Sequence, residues 1–311
     1  MIIQVTFPIL EELKLEQNHT LNGTWHGQLS TDCFRKLKVL ELINVPGKSA
    51  ALPYCFIRSL PDLETFILND ASFCQIFQSE ALNDEERHAS VLTRLSKLHL
   101  SKLPNLAQLW KEEFRATFCN LRILEVEECG KLMTLVPSLA SFENLTTLEV
   151  SRCHGFFNLI ACSAAKSLML LERMSISDCK MIEEIIASEG EEIKGGIVFT
   201  QLKYLQLSCL PNLASFSLGD HIFEFPALAK VIVKECPKMK NFCQGDLSTP
   251  KLQRVQLTGG EEDEKRGRWD GNLKTTIQQL FKEMVCINLK DFPFFFFFYL
   301  PATFVFPYTA S

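Results

Sequence analysis

The sequence predicts an α/β solenoid: a leucine-rich repeat with a concave parallel β-sheet, about ten repeats, and a C-terminal capping helix. Three observations predict it. The motif L-x-x-L-x-L, with Met, Phe, Ile or Val at some apolar places, recurs from Leu10, Leu37, Leu63, Leu95, Leu121, Leu145, Leu171, Leu202, Leu228 and Leu252, at spacings of 24 to 32 residues. Within a copy the last two apolar places flank a polar one, as Leu98 and Leu100 flank His99, which is the period of a short half-buried strand. A unit of about 25 residues cannot bury its own leucines, so neighbouring units must stack and share a core.

The opening stretch MIIQVTFPILEEL has no basic region and no small-residue cleavage site, so it is not a secretory signal and a cytoplasmic location is expected. The first repeat follows within ten residues, leaving no room for a polar cap. A C-terminal part of a longer protein, or a truncated gene product, is therefore expected.

The repeats form one solenoid over 1–260. From Leu37 onward their spacings run 26, 32, 26, 24 and then 26, 31, 26, 24. LSKLPNLAQL at 100–109 also matches LSCLPNLASF at 207–216, and EECGKL at 127–132 matches KECPKM at 234–239. We read two tandem four-repeat blocks, about 37–143 and 144–260. The long unit of each carries a polar insert, NDEERHAS in one and ASEGEEIKGG in the other, expected as a loop on one side of the stack.

Residues 261–290 read as a charged linker followed by a capping helix. Asn272 is placed to cap it, and Leu273, Ile277, Leu280, Phe281 and Met284 recur at helical spacing to cover the last repeat, with Trp269 at the joint. The Phe-rich tail at 291–311 is broken by Pro293, Pro301 and Pro307. It reads as a disordered or non-native end rather than a membrane helix.

Composition sets limits on function. Hydrophobic residues at 47% and charged residues at 22% suit a folded chain, and a net charge of −5 without a basic run argues against nucleic acid as a partner. Of the 12 cysteines, Cys129, Cys153, Cys179 and Cys236 each follow a strand by the same three places. They are expected as a column of buried, reduced thiols, because C-x-x-C pairs are lacking for zinc. The others, Cys162 and Cys243 among them, show no shared register and no paired histidine. Phosphate-loop, nucleophile-elbow, H-E-x-x-H and kinase motifs are missing, so no catalytic residue, metal or cofactor is expected and the chain is read as a non-enzyme.

What the repeats offer is a surface. The central outward place of each strand reads Lys14, Glu41, Ile67, His99, Glu125, Glu149, Ser175, Gln206, Ile232 and Gln256. Its middle is acidic, with Glu125, Glu127, Glu128 and Glu149 on neighbouring strands, a patch suited to a basic partner. The candidate partner-binding residues are these four with His99, Tyr204 and Gln206. Ile67 and Ile232 are further outward apolar anchors.

The segments FPILEELKLE, FENLTTLEVSRC, FPALAKVIVKECPKM and WDGNLKTTIQQLFKE resemble the C-terminal leucine-rich repeats of plant coiled-coil, nucleotide-binding disease resistance proteins. The resemblance covers about residues 7–288. It implies a protein-interaction scaffold that restrains a nucleotide-binding switch and helps to recognise pathogen effectors or modified host proteins. It also implies that this chain lacks the switch itself. The implied partners are an effector, a guarded host protein or the nucleotide-binding domain of a relative. An alternative is a substrate-presenting adaptor of another regulatory pathway.

Overall fold

The computed structural model describes residues 7–16, 33–45, 51–76, 92–109, 119–133, 135, 142–187, 196–257 and 267–291. Most of both polar inserts, residues 258–266 and the tail from 292 lie outside the described residues.

An eleven-stranded sheet forms the body, in the order β1 (Glu12–Glu16), β2 (Val39–Val45), β3 (Thr65–Ala71), β4 (Lys97–Ser101), β5 (Ile123–Glu127), β6 (Thr147–Ser151), β7 (Arg173–Ser177), β9 (Tyr204–Ser208), β11 (Lys230–Lys234), β13 (Val255–Gln256) and β14 (Gly267–Arg268). All neighbours pair in parallel except β14, which runs antiparallel to β13. One parallel strand thus lies in each copy of the motif, as the alternation predicts.

The residues explain the repeat locally. A tight turn precedes the strand: the Leu145 N–H donates to the Phe142 carbonyl at 3.1 Å, and the Leu202 N–H to Phe199 at 3.3 Å. The next two amides join the repeats, since those of Thr146 and Thr147 both donate to the Arg122 carbonyl at 2.8 and 3.0 Å. Inward side chains then stack in columns, with Leu121, Leu124, Leu145, Leu148 and Leu171 fully buried.

A left-handed residue ends each of the central strands. Lys102, Glu128, Arg152, Asp178, Cys209 and Glu235 have φ between 50° and 54°, a conformation that costs a residue with a Cβ about 1–2 kcal/mol. Hydrogen bonding offsets the cost, because the reversed chain aims the N–H at the next repeat, as from Glu128 to the Ser151 carbonyl at 3.0 Å, Arg152 to Ser177 at 3.1 Å and Asp178 to Ser208 at 3.0 Å.

The same turn drives the following side chain inward. Cys129, Cys153, Cys179 and Cys236 are free thiols, 0–1% exposed, and each donates to a strand carbonyl, as Cys179 does to Ser177 at 3.3 Å. Burial pushes the Cys179 thiol up to about 12 and the Cys236 thiol up to about 11. The Cys153 sulfur beside Cys129 raises that thiol too, with burial adding to it.

Among the described residues the other side of the stack is mostly irregular, with two short helices, α1 (Tyr54–Arg58) and α2 (Cys162–Ala165). It also holds a second, three-stranded parallel sheet that the motif does not announce: β8 (Ile197–Val198), β10 (Phe223–Glu224) and β12 (Leu247–Ser248). Beneath it Phe199 stacks on Phe225 at 5.1 Å and Phe216 on Phe242 at 4.9 Å. These rings fill the space that leucines fill elsewhere.

At the C-terminal end α3 (Leu273–Asp291) buries Leu273 and Ile277, and Trp269 and Leu280 pack half-buried against the core. The Asn272 carboxamide oxygen accepts the Thr275 N–H at 2.9 Å, capping the helix. Thr276, a place the apolar pattern skips, is buried as well, with its hydroxyl on the Asn272 carbonyl at 2.7 Å. Phe281 is only half-buried, and the Met284 side chain lies outside the described residues. Gly267 and Arg268, expected as linker, form β14 because a final strand satisfies the edge of β13.

Candidate protein-binding face

Each strand of the large sheet turns alternate side chains to the concave side, and the parallel register stacks them in three rows. The first runs Thr65, Lys97, Ile123, Thr147, Arg173, Tyr204, Lys230. The central row runs Ile67, His99, Glu125, Glu149, Ser175, Gln206, Ile232. The third runs Asn69, Ser101, Glu127, Ser151, Ser177, Ser208, Lys234. Neighbours in a row sit about 4.8 Å apart, within reach of one another's side chains.

The structure brings the acidic residues together and sets cations among them. Both Glu125 oxygens are occupied, one by Lys97 Nζ at 3.0 Å and the other by His99 Nδ1 at 2.8 Å. Arg173 Nε donates to Glu149 at 2.7 Å. Arg152 reaches back from the left-handed turn after β6, donating to Glu128 through Nε at 2.8 Å and to Glu127 through Nη2. The hydrogen bond donated to Glu128 holds the Arg152 guanidinium above its ordinary range, against an opposing effect of burial. The four carboxylates therefore present alternating charge, and their negative field is short-ranged.

Tyr204 and Gln206 belong to the same network. The Arg173 guanidinium lies 4.0 Å over the Tyr204 ring and Lys230 Nζ lies 5.9 Å from its centre. The Tyr204 hydroxyl donates to Gln206 Oε1 at 2.5 Å, and Gln206 Nε2 donates to Ser208 Oγ at 3.2 Å. Burial disfavours the charge on Arg173, but Glu149 and Tyr204 outweigh it and leave the guanidinium raised.

Lys97, Arg152 and Arg173 were missing from the residues singled out in the sequence. Their signal was there: each cation lies one repeat from its carboxylate, at the first strand place or the turn. Ile67 is half-exposed, as an anchor requires. Ile232 is not, being 2% exposed, and Gln256 beside it is 8% exposed, so both are withdrawn from solvent at the C-terminal end.

One pairing on the opposite side corrects the reading of the cysteines. Cys162 Sγ lies 3.4 Å from His221 Nε2. The two are 59 residues apart, and stacked repeats bring them together where spacing alone does not. Burial raises the Cys162 thiol, which keeps it protonated and unsuited to nucleophilic attack. Among the described residues no group of three or more His, Cys, Asp or Glu could hold a metal ion. No helix of the described residues is long and apolar enough to cross a membrane.

Known proteins resemble this chain along most of its length. The family model described as plant disease resistance protein RPS2-like, leucine-rich repeats, matches residues 9–141 and 136–245. Probable disease resistance protein At1g61310 of Arabidopsis thaliana is 28% identical over 233 residues, 71% of this chain and 24% of the relative. Probable disease resistance protein At1g61190 of the same plant is 26% identical over 215 residues, 64% of this chain and 22% of the relative. Disease resistance protein UNI, also of Arabidopsis thaliana, is 28% identical over 159 residues, 51% of this chain and 17% of the relative. The chain thus spans about a quarter or less of the length of these relatives. No solved structure matches it.

Proposed function

Because the chain belongs to the RPS2-like leucine-rich repeat family of plant disease resistance proteins, we propose that it works as a non-catalytic protein-interaction scaffold in plant defence. It acts in the cytoplasm as a recognition or autoinhibitory segment, and its partner is a pathogen effector, a guarded host protein or the nucleotide-binding domain of a relative. The observation that carries this reading is the concave sheet. Its outward places are dominated by polar side chains held by partners one repeat away, such as Lys97 on Glu125 and Arg173 on Glu149. A rigid face of pre-positioned side chains suits docking, because less side-chain freedom is lost on association.

Exposed ion pairs of this kind contribute little to stability. Their value here lies in placing charge for a partner. The test is co-purification of the full chain with the nucleotide-binding region of a full-length relative, before and after Glu125→Lys with Glu149→Lys. The double reversal sets lysines beside Lys97, His99 and Arg173. It should slow association with a basic surface by about tenfold at low salt, with a smaller effect at high salt. No association of the unaltered chain with a relative's domain, a host protein or an effector would sink the scaffold reading. Unchanged association would remove the acidic centre from it.

A further inference from the structure

The edge of the large sheet where the strands begin carries a row of its own. Glu64, Ser96, Arg122, Thr146, Glu172 and Lys203 stand just before β3, β4, β5, β6, β7 and β9. Each N–H after the first donates to the carbonyl one repeat back, as Arg122 does to Ser96 and Thr146 to Arg122, both at 2.8 Å; Glu11 and Lys38 begin the same row. Its lysines pair with a carboxylate one repeat back, Lys38 Nζ with Glu11 at 2.9 Å and Lys203 Nζ with Glu172 at 3.0 Å. Arg122 departs from this rule, because its neighbours in the row are Ser96 and Thr146. Among the described residues its guanidinium forms no hydrogen bond or ion pair. It lines a cleft of about 400 Å³ together with Glu64, Arg94, Ser96, Asn120 and Asn144. The side chains around it are held in place. Ser96 Oγ donates to the Glu64 carbonyl at 3.1 Å, Asn120 Nδ2 to Thr93 at 2.7 Å and Asn144 Nδ2 to Cys119 at 2.9 Å. Arg94 is paired with Asp62 at 3.2 Å.

We propose that this cleft takes a single carboxylate of a partner protein on the Arg122 guanidinium. This rests on the scaffold reading and adds to it a docking point beside the concave sheet. A guanidinium is a planar fork of donors that matches the two oxygens of a carboxylate. Asn120 and Asn144 each spend one amide hydrogen on a backbone carbonyl, so each keeps a second, neutral donor for the same group. A dianionic phosphate fits less well. The second arginine of the cleft is committed to Asp62, and the Glu64 carboxylate lines the same space, two strand spacings or about 10 Å along the row from Arg122.

The test uses the full chain and the arginine Nε–H resonances in NMR, titrated with sodium acetate and, separately, with inorganic phosphate at equal ionic strength. Acetate should shift the Arg122 resonance along a curve that saturates, whereas that of Arg35, exposed and outside the cleft, should drift without saturating. Arg122→Lys keeps the charge but loses the fork, and should weaken acetate about tenfold, read from the remaining shifts of the Asn120 and Asn144 amides. Ser96→Glu sets a carboxylate beside Arg122, as Glu11 stands beside Lys38, and should abolish the response from within the chain. Circular dichroism melts of both variants confirm that the solenoid is intact. A response at Arg122 no different from that at Arg35 would overturn the proposal, as would tighter binding of phosphate than of acetate. Failure of acetate, while the chain still captures a relative's nucleotide-binding region, would sink this proposal alone. Failure of both would sink the scaffold reading with it.

Discussion

At the scale of single residues, close approach between repeats decides what is tolerated. A Cβ on Gly155 would stand 2.6 Å from both the Gly130 and Leu132 carbonyl oxygens of the preceding repeat, whereas one on Gly130 would meet nothing within 4 Å. Gly155→Ala should therefore cost about 1–3 kcal/mol in urea denaturation, and Gly130→Ala should be neutral or slightly stabilising. The buried thiols give a second expectation. Cys179 and Cys236 hold their protons up to about 12 and about 11, against an ordinary value of 9.0. The unfolded chain therefore loses these protons first as pH rises. Stability is full below 9.0 and should fall above it, by about 1.4 kcal/mol per pH unit for each thiol until its folded value is reached. Denaturation midpoints across this range check it, and a flat profile would show that the thiols ionise freely in the folded chain. The inward cysteines were legible because their places repeat. The left-handed turns that put them there were not, since Lys, Glu, Arg, Asp and Cys all fill that place and none signals the conformation.

At the scale of elements, the strands were legible and their partners in the smaller sheet were not. Alternation over L-x-x-L-x-L shows a strand even when only five residues long, but β8, β10 and β12 have two residues each and no period to show. The strand columns carry the stability. Leu148→Ala, at a fully buried place in the middle of the stack, should cost about 2–5 kcal/mol. The closing helix depends more on its first turn. Asn272→Ala removes the acceptor for the Thr275 N–H and should cost about 1 kcal/mol, read as a lowered denaturation midpoint. The cation partners of the candidate site show a similar limit, because pairing across repeats follows from register, which spacing fixes only after the turns are known.

At the scale of the whole molecule, contacts run from each repeat to the next, so protection should vary along the stack. Leu13 and Leu15 of β1 are half-buried, whereas the equivalent Leu98, Leu100, Leu124, Leu148 and Leu205 are fully buried. Hydrogen exchange should be fastest at β1 and slowest from β4 to β9, and uniform protection across the sheet would contradict a stack held by neighbours alone. On the flank of the sheet Lys131 Nζ donates to Asn105 at 3.0 Å, and 107 residues on Lys238 Nζ donates to Asn212 at 2.6 Å. Seams 107 residues apart are built alike, so a recombination event joining one to the other would create no foreign junction. Excision of the 107 residues between them should leave a shorter stack of lesser reach that folds as this one does.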